Sequence, residues 1–200
     1  TIMVLNHLMG LYTHPKKEWQ TIEKNHEALK SSLSHILLIA LIPAVCAYFA
    51  TAHIGWHPGV GEPLFLTSQS ALLMSIAMYF GLIIGVLALA YLAFWMGRTF
   101  DADPTYTQAL ELASYTATPL FMVGLAALYP VLWFIMVIGL IGLSYSVYLL
   151  YAGVPIIMNI PEEKGFIYAS SVVTAGLVLL VALMASSVIL WSIGLGPMMQ

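Results

Sequence analysis

Four side chains stand out for their spacing. Glu111, Ser114, Tyr115 and Thr118 follow an i, i+3, i+4, i+7 pattern, which puts them on one face of a helix. Pro119 comes next and, having no N–H, frees a carbonyl one turn earlier. A carboxyl, three hydroxyls and a released carbonyl on one face suit a polar groove or a proton relay. A plainer role also fits: Glu111 as an interfacial carboxylate near a helix N-terminus, where the dipole favours it. Further along, Tyr145, Tyr148 and Tyr151 recur every third residue beside Ser144 and Ser146. A hairpin partner would bring them near the Glu111 face; an aromatic belt with ordinary packing is the alternative.

Other reactive residue types form weaker patterns. His53 and His57 are four apart, with Glu62 beyond them. That spacing binds zinc on a helix, but Gly55, Pro58, Gly59 and Gly61 argue for a turn, so the pair is a weak metal candidate. His7, His14, His26 and His35 show no ligand pattern. Cys46 is the single cysteine and lies in an apolar run, which suits a small buried hydrophobe rather than a disulfide or zinc ligand. No Walker A loop, GxSxG, HExxH or Cys-His cluster is present. Paired intramembrane carboxylates are missing too, and His35 at the edge of an apolar run is the only basic partner for a serine at membrane depth. The expectation is a non-enzymatic protein with no cofactor.

The elements that carry these residues are set by composition. The chain has 200 residues, 61% hydrophobic and only 8% charged, with a mean hydropathy of +0.94. Soluble domains carry roughly 25% charged residues, so lipid rather than water must surround most of this chain. Six Lys and Arg cannot both set topology and build a phosphate-binding surface, which excludes nucleic acid as a partner. Five stretches are long and apolar enough to cross a bilayer, at about 33–52, 70–97, 109–128, 131–152 and 166–193. Their continuity excludes the alternating pattern of a membrane barrel. Only Tyr129-Pro130 separates the third span from the fourth, which predicts a tight helical hairpin. The expected fold class is all-α: a polytopic integral membrane protein of five transmembrane helices, with an N-terminal amphipathic cytoplasmic helix. Residues 1–32 form a cytoplasmic segment and 33–200 the transmembrane domain.

Charge gives the orientation. Lys16, Lys17, Lys24 and Lys30 precede the first span, Arg98 follows the second, and Lys164 follows the fourth. All six then fall on one side, which by the positive-inside rule makes the N-terminus cytoplasmic and the C-terminus periplasmic. Trp56, Tyr129, Trp133 and Trp191 fall near the other interface. The first residues lack a basic stretch, and their apolar run is interrupted by Asn6 and His7, so no cleaved signal is expected. Pro15 suits the first turn of a helix, and Trp19, Ile22, His26 and Leu29 then repeat at helical spacing among charged residues. This predicts an amphipathic helix on the cytoplasmic surface, with Pro15, Trp19 and Ile22 anchoring it to the bilayer or to the bundle. In the second span, Ala77, Gly81 and Gly85 form a small-residue ridge for close helix packing, within the chain or in a homo-oligomer.

Several short motifs then point to a family. His14-Pro15-Lys16-Lys17-Glu18-Trp19-Gln20-Thr21-Ile22 resembles the P…W..I segment that precedes the spans in bacterial members of the Yip family. Ser114-Tyr115-Thr116-Ala117-Thr118-Pro119-Leu120 resembles its G-Y-x-x-x-P motif, with Ser114 in place of the usual glycine. Ile54-Gly55-Trp56 and Gly124-Leu125-Ala126-Ala127-Leu128-Tyr129-Pro130 are similar to a bacterial inner-membrane member. The resemblance implies a five-helix domain in the bacterial inner membrane with a cytoplasmic N-terminus. Eukaryotic members are linked to Ypt/Rab GTPases through a longer N-terminal region without a counterpart here, so Rab binding is not implied. The leading expectation is a membrane scaffold or adaptor that binds lipid or a protein partner at its cytoplasmic face. The alternative is a small transporter or channel for an ion, proton or lipid, using the polar face of the third span.

Overall fold

A computed structural model describes residues 9–25, 29–57, 59, 61–192 and 196–199. Among these the regular elements are all helical. Helix α1, Pro15–Asn25, starts on a proline that needs no N–H partner and has φ preset for a helix. Five apolar helical stretches follow, at Leu29–Ile54, Ser68–Phe100, Tyr106–Leu128, Leu132–Ile157 and Glu162–Leu190. The chain therefore has the five spans that its hydropathy predicts, with ends displaced by a few residues.

The first span is not one straight helix. It runs as α2, Leu29–Ile39, then α3, Leu41–Phe49, and a wider turn at Ala50–Ile54. Pro43 stands three residues beyond the break at Ala40 and cannot return an N–H to the Ile39 carbonyl. Helix α4, Ser68–Gly97, is capped by Thr67, whose hydroxyl accepts from the Ser70 N–H. Helix α5, Tyr106–Met122, begins with a capping box of Thr105 and Gln108. Pro119 lies inside it, and the chain tightens into a 3-10 turn at Val123–Leu128. After Tyr129 and Pro130 the chain reverses into α6, Leu132–Ile157. Helix α7, Glu162–Leu190, closes the bundle, with Glu162 and Glu163 in its first turn where the dipole favours them.

The two ends of the bundle are held differently. At the end carrying the basic residues, the Lys164 ammonium lies 2.6 Å from Asp101. Arg98 and Lys164 thus lie at the same end of the bundle. The hydrogen bond from Lys164, with its charge, holds the Asp101 carboxyl below the usual carboxylate range, so the pair is intact at neutral pH and is lost as pH falls through that lowered value. At the far end the links are between backbones. Trp56 and Leu64 exchange N–H···O bonds, the His57 N–H donates to the Pro130 carbonyl, and the Thr67 N–H donates to the Met198 carbonyl. These short pairings join the 55–67 loop to the hairpin turn and to the chain beyond α7.

Helix α5 sits at the centre. In its most apolar stretch 61% of residues are buried, against 6% for the second and fifth spans. One core cluster joins Trp19, Leu112, Tyr115, Leu149, Val154 and Tyr168. A second joins Ile36, Val86, Ala90, Leu110 and Phe121. The 3-10 turn after α5 presses on α3 so closely that a Cβ on Gly124 would lie 2.5 Å from the Pro43 Cα. A proline flank and a missing side chain let these backbones touch.

Gly124→Val is expected to lower the stability of the purified protein by about 1–3 kcal/mol through overpacking. Gly139→Ala, where an added Cβ meets nothing within 4 Å, is expected to leave it unchanged or to raise it by up to about 1 kcal/mol, the helix preference of alanine over glycine. Reversible unfolding in mixed micelles measures both. Equal stability of the two variants would contradict the close contact at Pro43.

Candidate functional site

The polar face of α5 is turned into the protein. Glu111 is 1% exposed, and Ser114, Tyr115 and Thr118 are buried with it. An ionised carboxylate facing the bilayer centre costs about 2.5–3.5 kcal/mol or more, and this placement avoids that exposure. The first span supplies the other wall through Ser32 and His35, both buried. His35 Nε2 is 2.8 Å from the Thr118 hydroxyl, which in turn lies 3.1 Å from the Ser114 carbonyl. Thr118 has one proton. Donating it to Ser114 and accepting from an Nε2-protonated His35 satisfies both contacts. The Ser114 hydroxyl donates to the Leu110 carbonyl, and the His35 ring lies 4.6 Å from that of Tyr115.

Helix α1 closes this face at the basic end. Trp19 and Ile22 are both 0% exposed. The Trp19 ring meets Tyr115 edge-on at 6.3 Å and lies over Gly153 of α6, where a Cβ would be 2.6 Å from the indole. Glycine at 153 therefore makes room for the tryptophan. Pro15 starts the helix, and Lys16, Lys17, Gln20 and Lys24 lie on its exposed side. Trp19 and Ile22 are thus packed into the spans.

The residues grouped by sequence divide into two places. Glu111, Ser114, Tyr115 and Thr118 face His35 and Trp19. Pro119, Tyr145 and Tyr148 instead line an open groove of about 720 Å³ together with Tyr12, Ile141 and Ser144. Tyr145 stacks on Tyr12 at 5.4 Å and donates to the Leu11 carbonyl. Tyr151 turns the other way, to Ser170 of α7. The small-residue ridge also divides. Gly85 faces Leu183, with 3.1 Å between that leucine and an added Cβ, while Gly81 has nothing within 4 Å and Ala77 is exposed. His53 packs on Tyr48 and Phe49, and among the described residues no group of three His, Cys, Asp or Glu is placed to hold a metal.

Ser32 and His35 escaped the spacing argument. His35 and Thr118 are 83 residues apart, so no local pattern joins them. The available signal was chemical: an ionisable residue within an apolar span needs a polar partner on another span. Ser32, one turn before His35, is a second polar side chain on the same helix.

Comparison with known proteins follows from this geometry. A family model described as the Yip1 domain matches residues 9–183, which includes α1 and most of the fifth span. The chain is 37% identical over 191 residues to the inner membrane protein YohC of Escherichia coli strain K12, covering 95% of this chain and 98% of that protein. The same figures hold for YohC of Escherichia coli O6:H1. No solved structure matches.

Trp19→Ala is expected to destabilise the protein by about 3–5 kcal/mol, whereas Lys17→Ala should shift stability by less than about 0.5 kcal/mol. A double-mutant cycle of His35→Ala and Thr118→Val should return a favourable coupling of about 0.6–1.7 kcal/mol. Additive effects in that cycle would show that the contact contributes no stability.

Proposed function

This chain belongs to the Yip1 domain family, and on that premise we propose that it is a non-enzymatic scaffold of the inner membrane whose α1 presents a docking face to a protein partner. The observation that carries the reading is the way the polar face of α5 is covered. Trp19, Ile22 and the first span close over Glu111, Ser114, Tyr115 and Thr118. Neither the 720 Å³ groove nor a smaller cavity between the spans has any of those four in its lining. A transporter would need its ionisable group to meet a water-filled path. Packed as it is, the face holds α1 to the bundle and leaves the opposite side of that helix outward.

The charge of that whole end of the bundle favours protein over lipid. The end with six basic residues also carries Glu18, Glu23, Asp101, Asp103, Glu162 and Glu163. Attraction to anionic headgroups needs a net excess of Lys and Arg, each worth about 1 kcal/mol near the surface. A charge-balanced end with Lys16, Lys17 and Lys24 presented on α1 suits an acidic protein face instead. The one-sided Lys and Arg further support a cytoplasmic N-terminus and a periplasmic C-terminus.

Two experiments test this. Alkaline phosphatase fused after Gln200 or at Gly61 should be active, and fused after Arg98 it should be inactive; the reverse pattern overturns the orientation. A photo-crosslinker at Gln20 should capture a defined partner in native membranes. Combined Lys16→Glu, Lys17→Glu and Lys24→Glu should cut that product on the order of tenfold without altering the unfolding temperature. Unchanged crosslinking in the reversed-charge variant would count against α1 as the docking face.

A further inference from the structure

The chain ahead of α1 does not stay at the membrane surface. Residues 9–13 are helical. The His14 N–H donates to the Gly10 carbonyl and the Glu18 N–H to the His14 carbonyl, so the helical rise carries on into α1. Tyr12 stacks on Tyr145. Two turns later Trp19 covers Gly153, itself two turns beyond Tyr145 on α6. The two helices therefore climb side by side toward the basic end. At 1.5 Å per residue, Tyr145 lies about 12 Å below Gly153. The turn with Leu11 and Tyr12 is thus sunk in the leaflet at that end. Leu11 is buried there, and its carbonyl accepts from the Tyr145 hydroxyl.

Tyr12 forms one wall of the open 720 Å³ groove between α5 and α6, a volume within the range of about 300–1,000 Å³ usual for ligand sites. Its floor is Gly142, where a Cβ would strike Val123. Along α6 the lining runs from Ile138 to Tyr148, about 15 Å of helix. The hydrocarbon is about 30 Å thick, so the groove has the length of one leaflet. Ile141 in its wall is 60% exposed, so the groove opens outward, to lipid. No charged residue lines it. The end toward the basic residues is different. Tyr12 and Tyr148 frame it, each nearly half exposed. Lys16, also exposed, follows Tyr12 by one turn and so continues the same flank of the helix. A lysine lays its apolar stem along such a surface and carries its ammonium up to water. An apolar trough of leaflet length beneath a cation matches a hydrocarbon chain beneath a phosphate.

We propose that the groove seats one acyl chain of a phospholipid from the leaflet at the basic end, with the Lys16 ammonium paired to its phosphate. One such pair is local and does not need the net excess of basic charge that general attraction to headgroups requires. The site rests on the packing of residues 9–13 against α6 and stands whether or not α1 docks a protein. The probes are dioleoyl phosphatidylglycerol and dioleoylglycerol, which shares its chains and lacks the phosphate. Each is titrated into the full chain in detergent micelles. At about 100 times its Kd the phospholipid should raise the unfolding temperature by about 5–10 °C, and dioleoylglycerol should raise it less. Ile141→Trp with Ser144→Phe fills the groove and should remove most of both shifts. Val137→Trp adds bulk to the exposed surface of α6 outside the lining and should keep them. If the filled pair fails to fold, Ile141→Trp alone should at least halve the phospholipid shift. Lys16→Gln should lower the phospholipid response to that of dioleoylglycerol. A phospholipid shift that survives filling, or that is absent from the unaltered protein, overturns the proposal. So does a preference for the phosphate that is unchanged in Lys16→Gln. An unaltered protein that is dimeric in micelles, with a monomeric filled variant, identifies a second copy as the occupant and overturns it as well.

Discussion

Hydrocarbon neither donates nor accepts hydrogen bonds, and this sorts the five spans of the chain. The third span has the lowest mean hydropathy of the five, 1.2 against 2.0–2.5 for the others, and it is the one placed at the centre. The greasier second and fifth spans face outward. A soluble bundle would put its most apolar helix inside. Here the solvent is reversed, and the helix with Glu111, Ser114, Thr116 and Thr118 must be wrapped by the rest. The first span contributes polar partners on one side, α6 contributes Gly153, and α1 seals the end. The position of nearly every other element follows from the need to cover α5.

Covering α5 also explains why a short polar helix belongs to the membrane domain. Most of α1 is charged or polar, and by itself it would stay in water. Trp19 and Ile22 give it a narrow apolar edge, and Gly153 gives that edge a seat. The contact removes two large side chains from water and shields Tyr115, at the level where the bundle would otherwise open. The family match begins at residue 9, so it too treats this segment and the spans as one unit.

Much of this architecture was legible in the amino-acid sequence, for physical reasons. Span number follows from continuous apolar length, and the break between the third and fourth spans follows from Pro130. The polar face of α5 followed from helical periodicity. Helix orientation about its own axis was harder to read. α4, α6 and α7 are apolar all round, so no stripe shows which side meets lipid and which meets protein. That is why Tyr145 and Tyr148 could be placed near Glu111 on spacing alone, whereas Tyr145 in fact reaches Leu11 and Tyr12. It is also why the His35–Thr118 contact needed three dimensions. It joins residues on different helices, and such pairing is set by the packing of whole faces.

The unequal fastening of the two ends has a mechanical meaning. Main-chain pairing knits the 55–67 loop, the turn at Pro130 and the chain past α7 into a rim, while the opposite end relies on side-chain packing and the solvent-facing Lys164–Asp101 pair. The rim is thus a fulcrum. Helices that tilt about it would part first where α1 sits, as the blades of a fan spread from their pin. A binder that displaced α1 would have the full length of the helices as its lever.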